Sequence, residues 1–293
     1  MTCCKLRPVL LLLALSALAL ASCRETQSAP PDHPRLNNQV SLQDVTFRSA
    51  SLGRDMRYRV VLPKSVPPGK KLVVVYLLHG GGGGFRDWTN YSDVARLTWT
   101  DFILVMPEGD SSYYTNSAEH PEDRYEDYIV NDLIADVESR FPAAAGRDKR
   151  AIVGISMGGF GAAKLALKHP ELFAFAAGLS AALDVPSRPF SPKRVEQWKH
   201  HSSIFGPWGS QIRHENDPFV LVRSADLAKT PYLFLTCGDQ EGLLATNRKF
   251  ARMLAERRFR YEFHIVHGDH NWNQWNPTLP LLFQSLSEHI AKD

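Results

Sequence analysis

Apolar residues in this chain fall into short unbroken runs, separated by stretches in which they recur every three or four positions. Val45-Thr46-Phe47 and Arg57 to Leu62 alternate apolar with polar, which predicts two half-buried strands paired as an antiparallel ribbon. Leu72 to Leu78 is continuously apolar, as are Phe102 to Met106 and Ala151 to Ile155; such runs suit strands buried on both faces. Phe175 to Leu179, Tyr232 to Leu235 and Tyr261 to Val266 supply further strands. Ile129, Leu133, Val137 and Phe141 carry a helical spacing over Tyr128 to Phe141. Gly159 to Leu167 reads as a small-residue helix stopped near Pro170, and further helices are predicted at about Asn247 to Arg257 and Leu279 to Ala291. Strand alternating with helix predicts the α/β class: a mostly parallel sheet of about eight strands flanked by helices, with its reactive residues at the carboxyl ends of the strands.

Two segments break this rhythm. Residues 184–222 hold five prolines, Trp198, Trp208 and the pair His200-His201, and are expected to form a small, irregular, lid-like insertion over the site. Adjacent histidines do not face one site on a helix, so both read as surface residues and not as metal ligands. At the N-terminus, Lys5 and Arg7 precede the apolar run Val9 to Ala21, which ends in small residues, the pattern of a secretory signal over residues 1–22. Leu20-Ala21-Ser22-Cys23 resembles the lipobox of bacterial lipoproteins. That resemblance implies cleavage before Cys23, acylation of Cys23 and attachment to a membrane, with Arg24 in place of Asp favouring the outer membrane. Residues 23–40, rich in Pro, Ser and Asn, are expected to be a flexible tether to a domain spanning 41–293.

Composition narrows the picture. Of 293 residues, 44% are hydrophobic and 22% charged, which suits a single α/β domain and excludes a disordered chain. Without Lys5 and Arg7 the chain carries 32 basic against 31 acidic residues. With no basic run, nucleic acid is not an expected partner. Cys237 alone remains beyond Cys23, so no internal disulfide is expected, and a lone Cys in an apolar strand reads as a small buried hydrophobe.

Gly154-Ile155-Ser156-Met157-Gly158 fits Gly-x-Ser-x-Gly between a buried strand and a small-residue helix. There a strained turn would lift the Ser156 hydroxyl clear of the sheet, and the helix N-terminus would favour negative charge beside it. A hydroxyl nucleophile needs a base, and the base an orienting acid, which in this architecture follow in the order Ser, Asp/Glu, His. The last strand is followed by His267-Gly-Asp-His270-Asn-Trp272-Asn-Gln-Trp275, offering His267, nearer the strand and expected to be partly buried, and His270 further out. The preceding strand is followed by Gly238-Asp239-Gln240-Glu241, offering two carboxylates between which spacing does not choose. Oxyanion donors are expected from the amide of Met157 and from His79-Gly80-Gly81-Gly82-Gly83-Gly84 after the first buried strand. Phe85-Arg86 ends that loop where a nucleotide-binding loop would need Gly-Lys-Ser/Thr.

Leu77-Leu78-His79-Gly80-Gly81 with Asp87-Trp88, Met106-Pro107-Glu108-Gly109 with Tyr114-Thr115-Asn116, the Ser156 motif, and His270-Asn-Trp272-Asn-Gln-Trp275 together resemble the esterase D-type branch of the α/β-hydrolases. Feruloyl and acetyl-xylan esterases and S-formylglutathione hydrolases belong to that branch, and the resemblance spans about residues 45–291. It implies His270 as the base, Glu241 as the acid with Asp239 as runner-up, and Gly81 as the loop donor to the oxyanion. It further implies a serine esterase working through an acyl-enzyme, on acetyl or feruloyl esters of polysaccharides or on small acyl esters, without metal or organic cofactor. Trp88, Tyr114, Trp272 and Trp275 are expected to line the substrate pocket. The alternatives are an acyltransferase of the same fold and an inactive, lipid-anchored binding protein.

Overall fold

The computed structural model describes residue 1, residues 31–97 and residues 101–290. The proposed signal, Cys23 and the tether as far as residue 30 lie outside the described residues. The chain divides into two units, Met1–Pro31 and Asp32–Asp293, and every strand and helix among the described residues belongs to the second.

Eight strands form one sheet: β1 (Val40–Ser49), β2 (Arg54–Pro63), β3 (Val73–Leu78), β4 (Phe102–Pro107), β5 (Arg150–Ile155), β6 (Phe175–Leu179), β7 (Tyr232–Gly238) and β8 (Tyr261–Val266). Their spatial order is β1-β2-β4-β3-β5-β6-β7-β8. The β1–β2 and β2–β4 pairs are antiparallel, and every other pair is parallel. The unbroken apolar runs have a direct cause, because successive side chains point to opposite faces and both faces are covered. Val74, Tyr76, Leu78, Ile103, Val105 and Ile152 enter one core, and Val75, Leu77, Leu104, Met106, Ala151 and Val153 the other. Over the first face lie Met157–Lys168, hereafter the elbow helix, and Leu244–Glu256, through Leu165, Phe250 and Leu254. Over the second lies the closing helix, Trp272–His289, through Leu279, Leu282, Phe283 and Leu286.

Several boundaries differ from the pattern-based expectation. The N-terminal ribbon is longer, ten residues per strand. The closing helix begins at Trp272 rather than near Leu279 and runs through Pro277 and Pro280. The side chain of Asn271 accepts the Asn273 amide and caps its first turn, while the buried apolar stripe compensates for the donors the prolines lack. Tyr128 to Phe141 is helical as far as Arg140, but Tyr128–Leu133 is a π-helical turn. An apolar repeat of four exceeds the 3.6-residue period, and the wider turn keeps Ile129, Leu133 and Val137 all buried.

Residues 32–39, expected within the tether, are docked on the domain. The Arg35 amide donates to Thr89 O at 2.8 Å, the His33 amide to Asn90 Oδ1 at 3.2 Å, and Asn37 Nδ2 to Arg96 O at 3.2 Å. The insertion is largely helical, not irregular: a 3₁₀ turn at Val185–Ser187 precedes helices Val195–Phe205, Gln211–Glu215 and Pro218–Ser224. It packs beside the elbow helix, with the Phe160 and Phe205 rings 5.7 Å apart.

Candidate active site

Four strand ends converge. Residue 156 follows β5, the glycine loop follows β3, Glu241 lies in the turn after β7, and His270 stands in the turn after β8. Ser156 has φ 52° and ψ −110°, a conformation that costs a non-glycine residue on the order of 1–3 kcal/mol and must be held by its surroundings. Its own amide donates to Leu179 O at 2.9 Å, while its carbonyl accepts from Phe160 and Ala182 at 3.0 and 3.1 Å. The motif glycines are sterically required: a Cβ on Gly158 would lie 2.3 Å from Leu78 O, and one on Gly154 2.1 Å from the Gly158 carbonyl.

Ser156 Oγ lies 2.9 Å from His270 Nε2, and His270 Nδ1 lies 2.8 Å from Glu241 Oε2. An ionised carboxylate only accepts, so Nδ1 carries the proton and Nε2 is left to accept from the serine hydroxyl. The other carboxylate oxygen, Oε1, accepts from the Gly238 amide at 2.7 Å and from the Ser180 hydroxyl at 2.5 Å. Burial alone would raise the Glu241 pKa, but the His270, Ser180 and Gly238 donors outweigh it and hold the carboxyl below its ordinary range. Asp239 is turned elsewhere. It pairs with His267 Nδ1 at 3.1 Å and accepts the Gly268 amide at 3.0 Å. His267 itself is exposed, at 81% of its side-chain surface, against the expectation of partial burial; it stands on the outer side of the turn. Of the three carboxylates and two histidines in these loops, only Glu241 and His270 form a side-chain relay to Ser156.

The glycine loop lies against the elbow. A Cβ on Gly80 would sit 3.6 Å from Ser156 Cβ, and one on Gly81 3.9 Å from Met157 Cβ. The loop turns through Gly82 at φ 75°, with the Gly83 amide donating to Gly80 O at 3.1 Å. Met157 opens the elbow helix, where the first amides have no partner within the helix. His79, fully buried, braces the loop from behind: Nδ1 donates to Gly80 O at 2.8 Å and Nε2 accepts the Gly109 amide at 2.9 Å. Burial disfavours its charged form, yet the Glu108 carboxylate and the Gly80 carbonyl prevail and push its pKa up.

The aromatic residues expected around the substrate are mostly scaffolding, which corrects the assignment for three of the four. Trp88 is fully buried and donates through Nε1 to Leu78 O at 3.1 Å. Tyr114, equally buried, donates its hydroxyl to His79 O at 3.0 Å. Trp275 donates to Ser180 Oγ at 2.8 Å and presents its ring edge-on to the His270 imidazole at 5.0 Å. Only Trp272 is half-exposed, stacked edge-on against Trp88 and Trp275. Residue type identifies large aromatics but not which side of a loop they face. Ser180 is barely marked in the sequence; its only signal is a small hydroxyl residue at the carboxyl end of an apolar run. His201 is buried and bonded to the Tyr113 hydroxyl at 3.1 Å, not on the surface as expected, because the insertion folds over it; His200 is exposed. Cys237 is buried and free. Among the described residues no group of three or more His, Cys, Asp or Glu is placed to hold a metal ion.

Sheet order, strained elbow and the Ser–His–carboxylate chain define the class: a serine hydrolase of the α/β-hydrolase fold. The family follows from comparison, since residues 49–285 match the family model described as "Putative esterase", and the chain belongs to that esterase family. It is 26% identical to an acetyl esterase of Caldicellulosiruptor saccharolyticus over 264 residues, covering 85% of this chain and 99% of the relative. Among solved structures it is similar to the fluorophosphonate-binding serine hydrolase F of Staphylococcus aureus, at 26% identity and TM-score 0.73, covering 86% of this chain and 99% of the other. A ferulic acid esterase matches at 26% identity and TM-score 0.73, covering 87% and 100%.

Proposed function

We propose that the protein hydrolyses carboxylic esters through an acyl-enzyme formed on Ser156. The observation that carries this reading is the unbroken chain of hydrogen bonds from Ser156 Oγ through His270 to Glu241. Ser156 attacks the ester carbonyl as His270 Nε2 takes its proton, and Glu241 stabilises the imidazolium that forms. The amides of Met157 and Gly81 receive the developing oxyanion. His270 then protonates the leaving alcohol, and water, activated by the same imidazole, releases the acid. Acetyl and feruloyl esters carried by polysaccharides are the proposed substrates, a reading supported by relatives named acetyl esterase and ferulic acid esterase.

The test is labelling by a fluorophosphonate probe together with turnover of p-nitrophenyl acetate and methyl ferulate. The wild type is labelled and turns over at least one ester, whereas Ser156→Ala takes no label and loses roughly 10⁴- to 10⁶-fold in kcat. A folded wild type that is neither labelled nor active sinks the reading. Export, cleavage before Cys23 and anchoring by acylated Cys23, favouring the outer membrane, belong to the same proposal and are supported by the N-terminal sequence pattern. Radiolabelled palmitate should enter the wild type but not Cys23→Ser, and an unlabelled wild type removes the anchor.

A further inference from the structure

The insertion builds a trough that the proposed chemistry does not use. One hollow, of about 490 Å³, lies between the insertion and helix Leu244–Glu256, and a second, of about 380 Å³, lies along helix Val195–Phe205. The two share Arg188 and Pro189. Each is within the range of ligand-binding pockets, roughly 300–1,000 Å³.

The charge lining this trough is unbalanced. Its two carboxylates are already engaged: Asp184 holds Arg188, and Asp217 is buried and caps the Phe219 amide. Arg213 is buried too, its guanidinium bonded to the Gly206 and Pro186 carbonyls and to Ser202. That leaves Lys193, Arg194, Arg223 and Lys249 on the walls, with no carboxylate among the described residues within ion-pair distance. Beside these cations stand Trp208 and Phe190, each 56% exposed. Arg213 lies under the Trp208 ring at 5.8 Å, and Trp198 abuts Phe190 edge-on at 5.4 Å, so both aromatics are held while remaining open to solvent.

The trough also lies close to the nucleophile. The Ala182 amide donates to Ser156 O at 3.1 Å, and Asp184, two residues on, forms part of the wall. At the reach of an extended chain, that puts the Asp184 backbone within about 10 Å of the Ser156 carbonyl oxygen.

We infer that this trough is a subsite for an anionic glycan, a polysaccharide chain bearing uronic-acid carboxylates next to the ester that Ser156 cleaves. The inference rests on the proposed reading of the substrate as a carbohydrate ester. Guanidinium and ammonium groups without a carboxylate partner, Lys249 resting over the Phe219 ring at 5.2 Å among them, recognise carboxylates, arginine bidentately, and exposed aromatic faces stack on sugar rings. Hollows joined end to end suit a chain of rings better than a flat bilayer, which would need a convex apolar ridge.

The full chain carrying Ser156→Ala, so that nothing is consumed, is measured against polygalacturonate, neutral xylan, poly-glutamate and anionic vesicles. Polygalacturonate binds, neutral xylan binds at least about tenfold more weakly, and raising salt narrows the gap. Arg223→Ala with Lys249→Ala, and separately Trp208→Ala, each weaken polygalacturonate binding about tenfold. In the chain retaining Ser156, the same substitutions leave p-nitrophenyl acetate turnover unchanged. Equal affinity for neutral xylan, no binding of polygalacturonate, or tighter binding of poly-glutamate or vesicles overturns the subsite. Failure of p-nitrophenyl acetate turnover alongside intact polygalacturonate binding would instead strike the esterase reading and leave the subsite standing.

Discussion

At Ser180 the hydroxyl gives its proton to Glu241 and takes one from the indole of Trp275, so a single oxygen ties the acid to the wall behind the imidazole. Ser180 is itself held at φ 51°, its amide bonded to Thr236 O at 2.8 Å. Ser180→Ala removes a charge-assisted bond of about 1.5–3 kcal/mol, so kcat should fall roughly tenfold or more with KM little changed. The pH dependence has a definite sign. Glu241 sits below the ordinary glutamate value of about 4.3, so its ionised form contributes stability above that pH and loses it as pH falls through the lower folded value. Without the Ser180 donor the folded value rises, so the thermal-stability gap between wild type and variant should be widest near neutrality and close as pH falls below the ordinary glutamate value. A gap independent of pH would mean that Ser180 acts by packing alone. Glu241→Ala should cost roughly 10³- to 10⁴-fold in kcat, whereas Asp239→Ala should stay within about twofold, because Asp239 only ties its turn to His267 and Gly268. Steady-state kinetics on the two variants separate these roles. The nucleophile was legible in the sequence because it follows a recognisable strand, as was the turn that carries the base, but His267 and His270 share that turn and only the resemblance favoured His270. The acid was not settled by spacing, since two carboxylates share one turn and only the resemblance favoured Glu241. The aromatic residues misled because burial behind a loop leaves no mark in a linear pattern.

Among the elements, the elbow helix links the site to a buried ionic cluster. Lys164, fully buried on that helix, donates to Glu126 Oε2 at 2.7 Å, to Tyr114 O at 2.6 Å and to Thr115 Oγ1 at 3.2 Å. It thereby fastens the loop whose Tyr114 braces His79. Glu126 also receives Lys168 and His169 at 2.9 and 2.8 Å, and the two lysine charges with the His169 hydrogen bond together overcome its burial to hold its carboxyl far below the usual range. Removing one partner of a buried pair strands the other, so Glu126→Ala should lose about 3–5 kcal/mol in chemical denaturation. Burial already pulls the Lys164 pKa down to about 8. Without Glu126 it falls further, and the folded variant sheds its proton before the unfolded chain does at about 10.4. The variant should therefore regain stability as pH rises from 7 to 9, and a flat profile would place the loss elsewhere. The central strands were legible because their runs are buried on both faces, and the N-terminal pair because it alternates. The π-helical turn, the closing helix's passage through two prolines and the helices of the insertion were not, because in each tertiary packing overrides local preference.

For the molecule as a whole, the sheet's antiparallel margin is secured by a segment whose composition reads as a linker. Arg59 on β2 is fully buried, and all five of its guanidinium donors are used: Nε and Nη2 on Asp44, Nη1 and Nη2 on Asp32, and Nη1 on Thr89 Oγ1. Asp32 is drawn below its ordinary pKa chiefly by that hydrogen bond to Arg59, which outweighs the opposing effect of burial. Proline and polar residues conceal such docking, because a strap held by backbone hydrogen bonds and one carboxylate needs no apolar repeat. Asp32→Ala would leave two donors of a buried guanidinium without acceptors, while Asp44 still neutralises its charge. The cost should then resemble that of lost charge-assisted bonds, about 1.5–3 kcal/mol, and not that of an unpaired buried ion. In a domain of this size that corresponds to a fall in Tm of roughly 4–10 °C by calorimetry. Asp32→Asn, which keeps one acceptor, should fall between the two. If Asp32→Ala melts with the wild type, residues 32–39 are a passive tail laid on the surface, and Asp44 and Thr89 suffice for Arg59.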